Sequence, residues 1–223
     1  MEALKIKNIF VDLDKTIAKE LMEQYEYPWE VLKDIGDFIL KVGPTLPKEE
    51  YEEIGEHVWV AKSASVAPTA YIGGPTIIGP NSKVSHCAYI RTNALVGAGC
   101  TVGNSTELKN VILFDGVEAP HYNYVGDAIL GYKAHMGAGS ITSNLKSDRK
   151  NVTVSIQGEK VETGIRKMGA ILGDFAEIGC NSVLNPGTII GHHSNVYPLS
   201  MVRGYVAPHS IYKKQGEVVE KQL

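Results

Sequence analysis

Nine aliphatic residues recur at intervals of six without a miss: Val60, Val66, Ile72, Ile78, Val84, Ile90, Val96, Val102 and Leu108. The interval returns at Leu172, Ile178, Leu184, Ile190, Val196 and Val202. A helix repeats its faces about every 3.6 residues and a strand every two, so neither gives this spacing. A solenoid does, in which a short strand and a tight corner alternate. Two positions before each aliphatic stands a small residue, as at Ala70, Thr76, Ser82, Ala88, Ala94 and Cys100. Glycine often follows the aliphatic, as at Gly73, Gly79 and Gly97, where a chain without a Cβ can turn. Three such sides close a triangular prism filled by the aliphatics. The expected fold is therefore all-β, a parallel β-helix with coils of about eighteen residues.

The beat also divides the chain. Residues 1–55 do not carry it. There Pro28 opens an amphipathic segment with Trp29, Leu32, Ile35, Phe38 and Ile39 on one face, ended by Gly43. Pro47 opens a shorter acidic run, expected to be helical through Ile54. A helical cap over the open apolar end of the prism is the plain use for this region. Over residues 56–208 the beat holds, falters around Phe114 and Pro120, and resumes through Val125, Leu130 and Met136 with two intervals shortened to five. It vanishes over about 143–168, where two β-prone runs flank Gly158-Glu159 and predict an inserted hairpin. Residues 209–223 read as a polar tail.

Composition excludes several classes of function. The net charge is −3 with no basic block, so nucleic acid is not an expected partner. No apolar stretch approaches bilayer-spanning length, and Met1–Lys15 lacks the layout of a secretory signal. Cys87, Cys100 and Cys180 have no metal-site spacing, and Cys100 takes a small-residue core position. A reduced, cytoplasmic protein is expected.

Repeats selected for stability alone keep their rhythm, so the irregular stretch 109–150 is where chemistry is expected. Arg91 and Lys109 each follow a core aliphatic and lie eighteen residues apart, one full coil. They should stack on the outside of the prism, roughly 5 Å apart at the backbone. An anion between them would relieve their repulsion, and phosphate suits the paired N–H donors of arginine. His121, inside the interrupted segment, can take a proton near neutral pH. Two other readings are weaker. Asp12 and Asp14 imitate a D-x-D-x-T phosphatase nucleophile motif, but no doubly wound domain follows, and helix capping is the expected role. A zinc site needs converging histidines. Neither His86 nor His121 has a second histidine five residues away, and His192-His193 occupy a corner where adjacent side chains should point apart. No metal is expected.

Arg91, Gly103-Asn104, Glu107-Leu108-Lys109, His121, Tyr124, Gly126-Asp127-Ala128, Gly137-Ala138-Gly139, Thr142, Asn144 and Lys150 follow in order the pattern of one acetyltransferase domain. The chain thus resembles the hexapeptide-repeat acyltransferases. Within them it is most similar to the C-terminal, left-handed β-helical domain of bifunctional UDP-N-acetylglucosamine pyrophosphorylase/glucosamine-1-phosphate N-acetyltransferases. Thr163 to Asp174 looks most like the archaeal-type sugar-1-phosphate enzymes, and the match covers about residues 60–208. The resemblance implies a left-handed coil, a homotrimer, and acetyl transfer from acetyl-CoA to an aminosugar 1-phosphate. It makes His121 the general base. Arg91, Lys109 and Lys150 hold the phosphate, Tyr124 and Asn144 position the sugar, and Ala138, Cys180 and Pro198 line the CoA. His135 stands where the family commonly has an asparagine against the sugar. The family's nucleotidyl-transfer region has no counterpart in these residues, so no uridylyl transfer is expected. The alternative is a non-catalytic solenoid that binds sugar phosphates or serves as a scaffold.

Overall fold

The computed structural model describes residues 1–221. Its core is a parallel β-helix whose three faces differ in what they turn outward. The first face carries Val58–Ala61, Thr76–Ile78, Ala94–Val96, the second halves of Glu107–Leu113 and Tyr124–Leu130, then Ala170–Leu172, Thr188–Ile190 and Tyr205–Val206. The second runs from Ser65–Val66 through Lys83–Val84, Thr101–Asn104, Glu118–His121, His135–Met136, Glu177–Ile178 and Asn195–Val196 to Ser210–Lys214. The third carries Tyr71–Ile72, Tyr89–Ile90, the first halves of the two long strands, Ile141–Thr142, Val183–Leu184 and Met201–Val202. Each strand points its beat residue inward, so Ile90, Val102, Leu108, Val125 and Leu172 are all fully buried. The small positions beside them (Ser82, Ala94, Cys100, Thr106) are buried as well.

The outward residues set the faces apart. On the first face they are Ile77, Leu95, Ile112, Ile129, Ile171 and Ile189, none with any exposure. On the second they are Lys83, Thr101, Glu118, His135, Glu177 and Asn195. On the third they are mostly tyrosines and aliphatics, including Tyr71, Tyr89, Tyr124 and Met201. We call the three the covered, polar and tyrosine faces.

The N-terminal region covers the first face rather than the open end expected of it. Helix α1 (Ile35–Val42) packs on Thr76–Ile78, Ala94–Val96 and Glu107–Leu113. Phe10 stacks on Phe114 at 5.0 Å, and Gly43 lies so close to Trp59 that any Cβ would enter the indole. The outward aliphatic stripe provides the reason. Burying six such side chains contributes on the order of 10 kcal/mol, which an exposed flank forgoes. The segment from Pro28 is also broken, with Pro28–Val31 and Ile35–Val42 separated by a turn at Leu32–Asp34. The acidic run after Pro47 is a single turn followed by strand Tyr51–Gly55, antiparallel to Val58–Ala61. That strand blunts the first edge of the sheet. Asp12 opens a 3-10 turn without a side-chain cap, and Asp14 pairs with Lys19.

The other end differs from expectation too. Residues after 208 continue the prism: Ser210–Lys214 pairs in parallel with Asn195–Val196, and Glu217–Glu220 folds back antiparallel onto it. Tyr212 is buried there. The inserted hairpin is present as Thr153–Ile156 against Glu159–Glu162, with its turn one residue earlier than expected, at Gln157-Gly158. Both turn residues have positive φ, 48° and 85°, the geometry that keeps a two-residue hairpin in step with strand twist.

The faltering rhythm is two deletions at one corner. Leu113 and Ala119, not Phe114 and Pro120, hold the beat, paired with Val96 and Val102. Between the tyrosine and covered faces a coil ordinarily spends three residues, Arg91-Thr92-Asn93. The next two coils spend two, Lys109-Asn110 and Gly126-Asp127. Asn93, Asn110 and Asp127 take the left-handed conformation there, with φ of 52°, 56° and 48°. Asparagine and aspartate are the side-chain-bearing residues that tolerate it best.

Candidate functional site

The tightened corner builds a polar cluster around Asp127, a buried carboxylate. Its Oδ1 accepts from Lys109 Nζ at 2.8 Å and from Asn110 Nδ2 at 3.0 Å. Its Oδ2 accepts from Asn144 Nδ2 at 2.6 Å. Asn144 lies one coil further on and also donates to the Tyr124 hydroxyl at 3.0 Å. Gly126 is required beneath this arrangement, because a Cβ there would lie 2.4 Å from the Tyr124 hydroxyl. Burial first, then the Asp127 and Glu107 carboxylates, push the Tyr124 pKa up from its ordinary value, so the phenol stays protonated.

Arg91 and Lys109 do stack, since Arg91 N–H donates to Leu108 O and the strands pair in register. They are not two bare cations, however. Arg91 pairs with Glu107 at 3.0 Å and Lys109 with Asp127. The Arg91–Glu107 pair is part-exposed and contributes little to stability, so Arg91 is free to exchange partners. Lys109 is held more firmly by a buried acceptor. Glu107 and Asp127 were not singled out from sequence as site residues. The signal for Asp127 was present in the shortened interval that ends its coil.

His121 lies elsewhere on the same flank. It ends Glu118–His121 at the polar–tyrosine corner, exposed, its N–H donated to Asn123 Oδ1 at 3.0 Å. Among the described residues nothing hydrogen-bonds its ring. Strand register puts it in one column with Ala138, Cys180 and Pro198: His135 is level with Glu177, Glu177 with Asn195, and Gly139 N–H donates to His121 O. Gly137 and Gly179 make the column possible, since a Cβ on either would strike the backbone of Cys180 or Pro198. Among the described residues the N–H groups of Ala138 and Cys180 find no acceptor. The covered–polar corner treats equivalent N–H groups differently. Ala98 N–H donates to Asp115 and Tyr132 N–H to Asp174, each at 2.7 Å.

Two residues expected at the site are not brought into the cluster within this chain. His135 points from the polar face and pairs with Glu118 at 2.9 Å. Lys150 is exposed in the loop before the hairpin and takes part in none of the cluster's hydrogen bonds. His192 and His193, expected to splay, converge instead, with their Nδ1 atoms 3.1 Å apart. Cys100 is buried as expected, and burial pushes its thiol up to about 12.

The model of the GMPPB C-terminal domain family matches residues 74–168. The bifunctional protein GlmU of Methanococcus maripaludis strain C5 is 35% identical over 199 residues, 88% of this chain and 48% of that protein. The bifunctional sugar-1-phosphate nucleotidylyltransferase/acetyltransferase of Sulfurisphaera tokodaii is 33% identical over 135 residues, 60% of this chain and 32% of that protein. The chain is homologous to the C-terminal part of these bifunctional enzymes. The chain spans about half the length of the curated GlmU relatives, 48% for the first of them. Among solved structures, PerB from Caulobacter crescentus in complex with CoA and GDP-perosamine aligns at 16% identity over 79% of this chain and 61% of that one, with a TM-score of 0.36. No helix among the described residues is long and apolar enough to cross a membrane.

Proposed function

We propose that this chain transfers the acetyl group of acetyl-CoA to the amine of an aminosugar 1-phosphate, working as a homotrimer in the cytoplasm. The observation that carries the reading is the division of labour across the tyrosine face. Basic groups stand with Asn144 at one edge and an unencumbered imidazole at the other, with Tyr124 on the strand between them. His121 and Gly126 are five residues apart, a span of at most about 17 Å when extended.

In this reading Arg91 and Lys109 leave Glu107 and Asp127 for the phosphate, and Lys150 of a neighbouring copy joins them. Tyr124 and Asn144 hold sugar hydroxyls. His121 takes the proton from the amine as its nitrogen attacks the thioester carbonyl. The tetrahedral intermediate then collapses, the C–S bond breaks, and the sulfur takes the proton back from His121 so that CoA leaves as the thiol. The open N–H groups of Ala138 and Cys180 suit the transient oxyanion, and the column through Pro198 lines the pantetheine. The outward tyrosines and Met201, uncovered by the chain itself, favour burial against a second copy. His135 would then tune which hydroxyl pattern is admitted. The reading assigns acetyl transfer to these residues and no nucleotidyl transfer.

The test is thiol release from acetyl-CoA with glucosamine 1-phosphate and a panel of related aminosugar phosphates. Release that collapses in His121→Ala supports the assignment, and unchanged release removes the base. A protein that binds the sugar phosphate but releases no thiol with any acceptor is the scaffold instead.

A further inference from the structure

The geometry points to a divalent transition-metal site, of the kind Zn²⁺ fills, held by His192, His193 and His209 at the covered–polar corner of the last coils. Each of the three rings offers one nitrogen, and these atoms lie within 4.8 Å of one another. Tetrahedral coordination at about 2.0–2.1 Å needs donors roughly 3.3 Å apart, and the His192 and His193 Nδ1 atoms are already at 3.1 Å. His209 supplies the independent observation. Its Nδ1 is buried with no hydrogen-bond partner among the described residues. Such an atom costs free energy unless something occupies the space before it.

The surroundings fit a bound cation. His193 lies near-parallel to Phe175 at 4.6 Å and to His209 at 5.1 Å, while His192 meets each of the two histidines edge-on, so binding one ion requires the His193 and His209 rings to turn toward each other. The stacking follows from the fold. Phe175, His193 and His209 occupy one corner column in successive coils, all with left-handed backbone at φ of 56°, 57° and 54°. Asp174 adjoins His193, whose N–H donates to the Asp174 backbone carbonyl at 2.8 Å. Asp174 is already engaged by the N–H groups of Val11, Asp12 and Tyr132, so it balances charge rather than ligating.

Asp174 is also where the N-terminal region docks, since Val11 and Asp12 donate to it at 2.6 and 2.8 Å. A metal here ties the final coil to the one before it, beside the docked segment. Three imidazoles leave a fourth position for water. The site is at a different corner from His121, so its test is independent of the acetyl-transfer reading.

The full chain, freed of metal by chelator dialysis, is titrated with Zn²⁺ and separately with Co²⁺. The expected result is about one equivalent per chain, visible Co²⁺ bands of tetrahedral intensity, and a raised thermal midpoint. His193→Ala and His209→Gln should each weaken binding roughly 100-fold or more, given that even outer-shell changes cost 10–100-fold. His86→Ala should bind as the parent does. Zn²⁺-induced shifts of the ring resonances of all three histidines give the same answer without substitution. Full stoichiometry retained in His193→Ala/His209→Gln, or ring resonances unmoved at saturating Zn²⁺, overturns the site.

Discussion

The covered face and the tyrosine face are made from the same hexapeptide, yet the chain finishes only one of them. Both turn large apolar groups outward. On the covered face, Ile77, Leu95, Ile112, Ile129, Ile171 and Ile189 lie under the N-terminal segment and have no exposure. On the tyrosine face, Tyr71 keeps 59% of its surface and Met201 49%. The polar face supplies the control, because Lys83, Glu118 and Glu177 need no cover. An apolar stripe that a chain leaves bare is a stripe that something else covers. Here the bare stripe also borders the Asp127 cluster and His121, so in the proposed trimer closing the face and completing the site would be one event.

That contrast can be broken from either side. The largest effect belongs to Ile112→Asp, which places an unpaired charge under the N-terminal segment and should cost about 4–5 kcal/mol or more in denaturant unfolding. Thr101→Asp on the polar face should change stability by no more than about 0.5 kcal/mol. Equal losses in the two variants would mean that the covered face is not what holds the N-terminal region. On the tyrosine face, His121→Ala should lower acetyl transfer by roughly 10²–10⁴-fold with no change in the unfolding midpoint.

Asp127→Ala strands Lys109, Asn110 and Asn144 together. A loss of about 2–3 kcal/mol in stability and a raised KM for the sugar phosphate are expected. A stability loss with KM unchanged would make Asp127 a purely structural corner. Met201→Lys should shift the sedimentation coefficient toward the monomer while leaving the far-ultraviolet spectrum intact. The smallest expected effect concerns the thiols. Cys100, with its thiol raised to about 12, should resist alkylation at pH 8 in the folded state, whereas the exposed Cys87 reacts.

Much of the prism was legible because its signal is local. A six-residue beat with small partners states which side chains point inward, and every coil repeats it. The site was legible in part. Lys109, Tyr124 and Asn144 meet around Asp127 at the tyrosine–covered corner, with Arg91 one coil away on Glu107. Ala138, Cys180 and Pro198 share a column with His121, because all of these positions are set by coil register. Asp127 was missed as the hub, since a single shortened interval does not say which side chain the lost residue draws inward. The N-terminal region was misplaced for a related reason. The outward aliphatics of the covered face recur only once per coil, and the inward beat masks them.

The sequence alone determined the parallel β-helix, its core, the hairpin insertion and the flank that carries the basic residues, since all of these follow from short-range periodicity. Only the tertiary structure decided that helix α1 lies along a face instead of over an end. It alone decided that Lys109 is held by Asp127, and that His192, His193 and His209 converge. Each of those depends on atoms from distant segments competing for the same surface, and the outcome is set by which arrangement buries the most apolar area without leaving a charge or an N–H unpartnered.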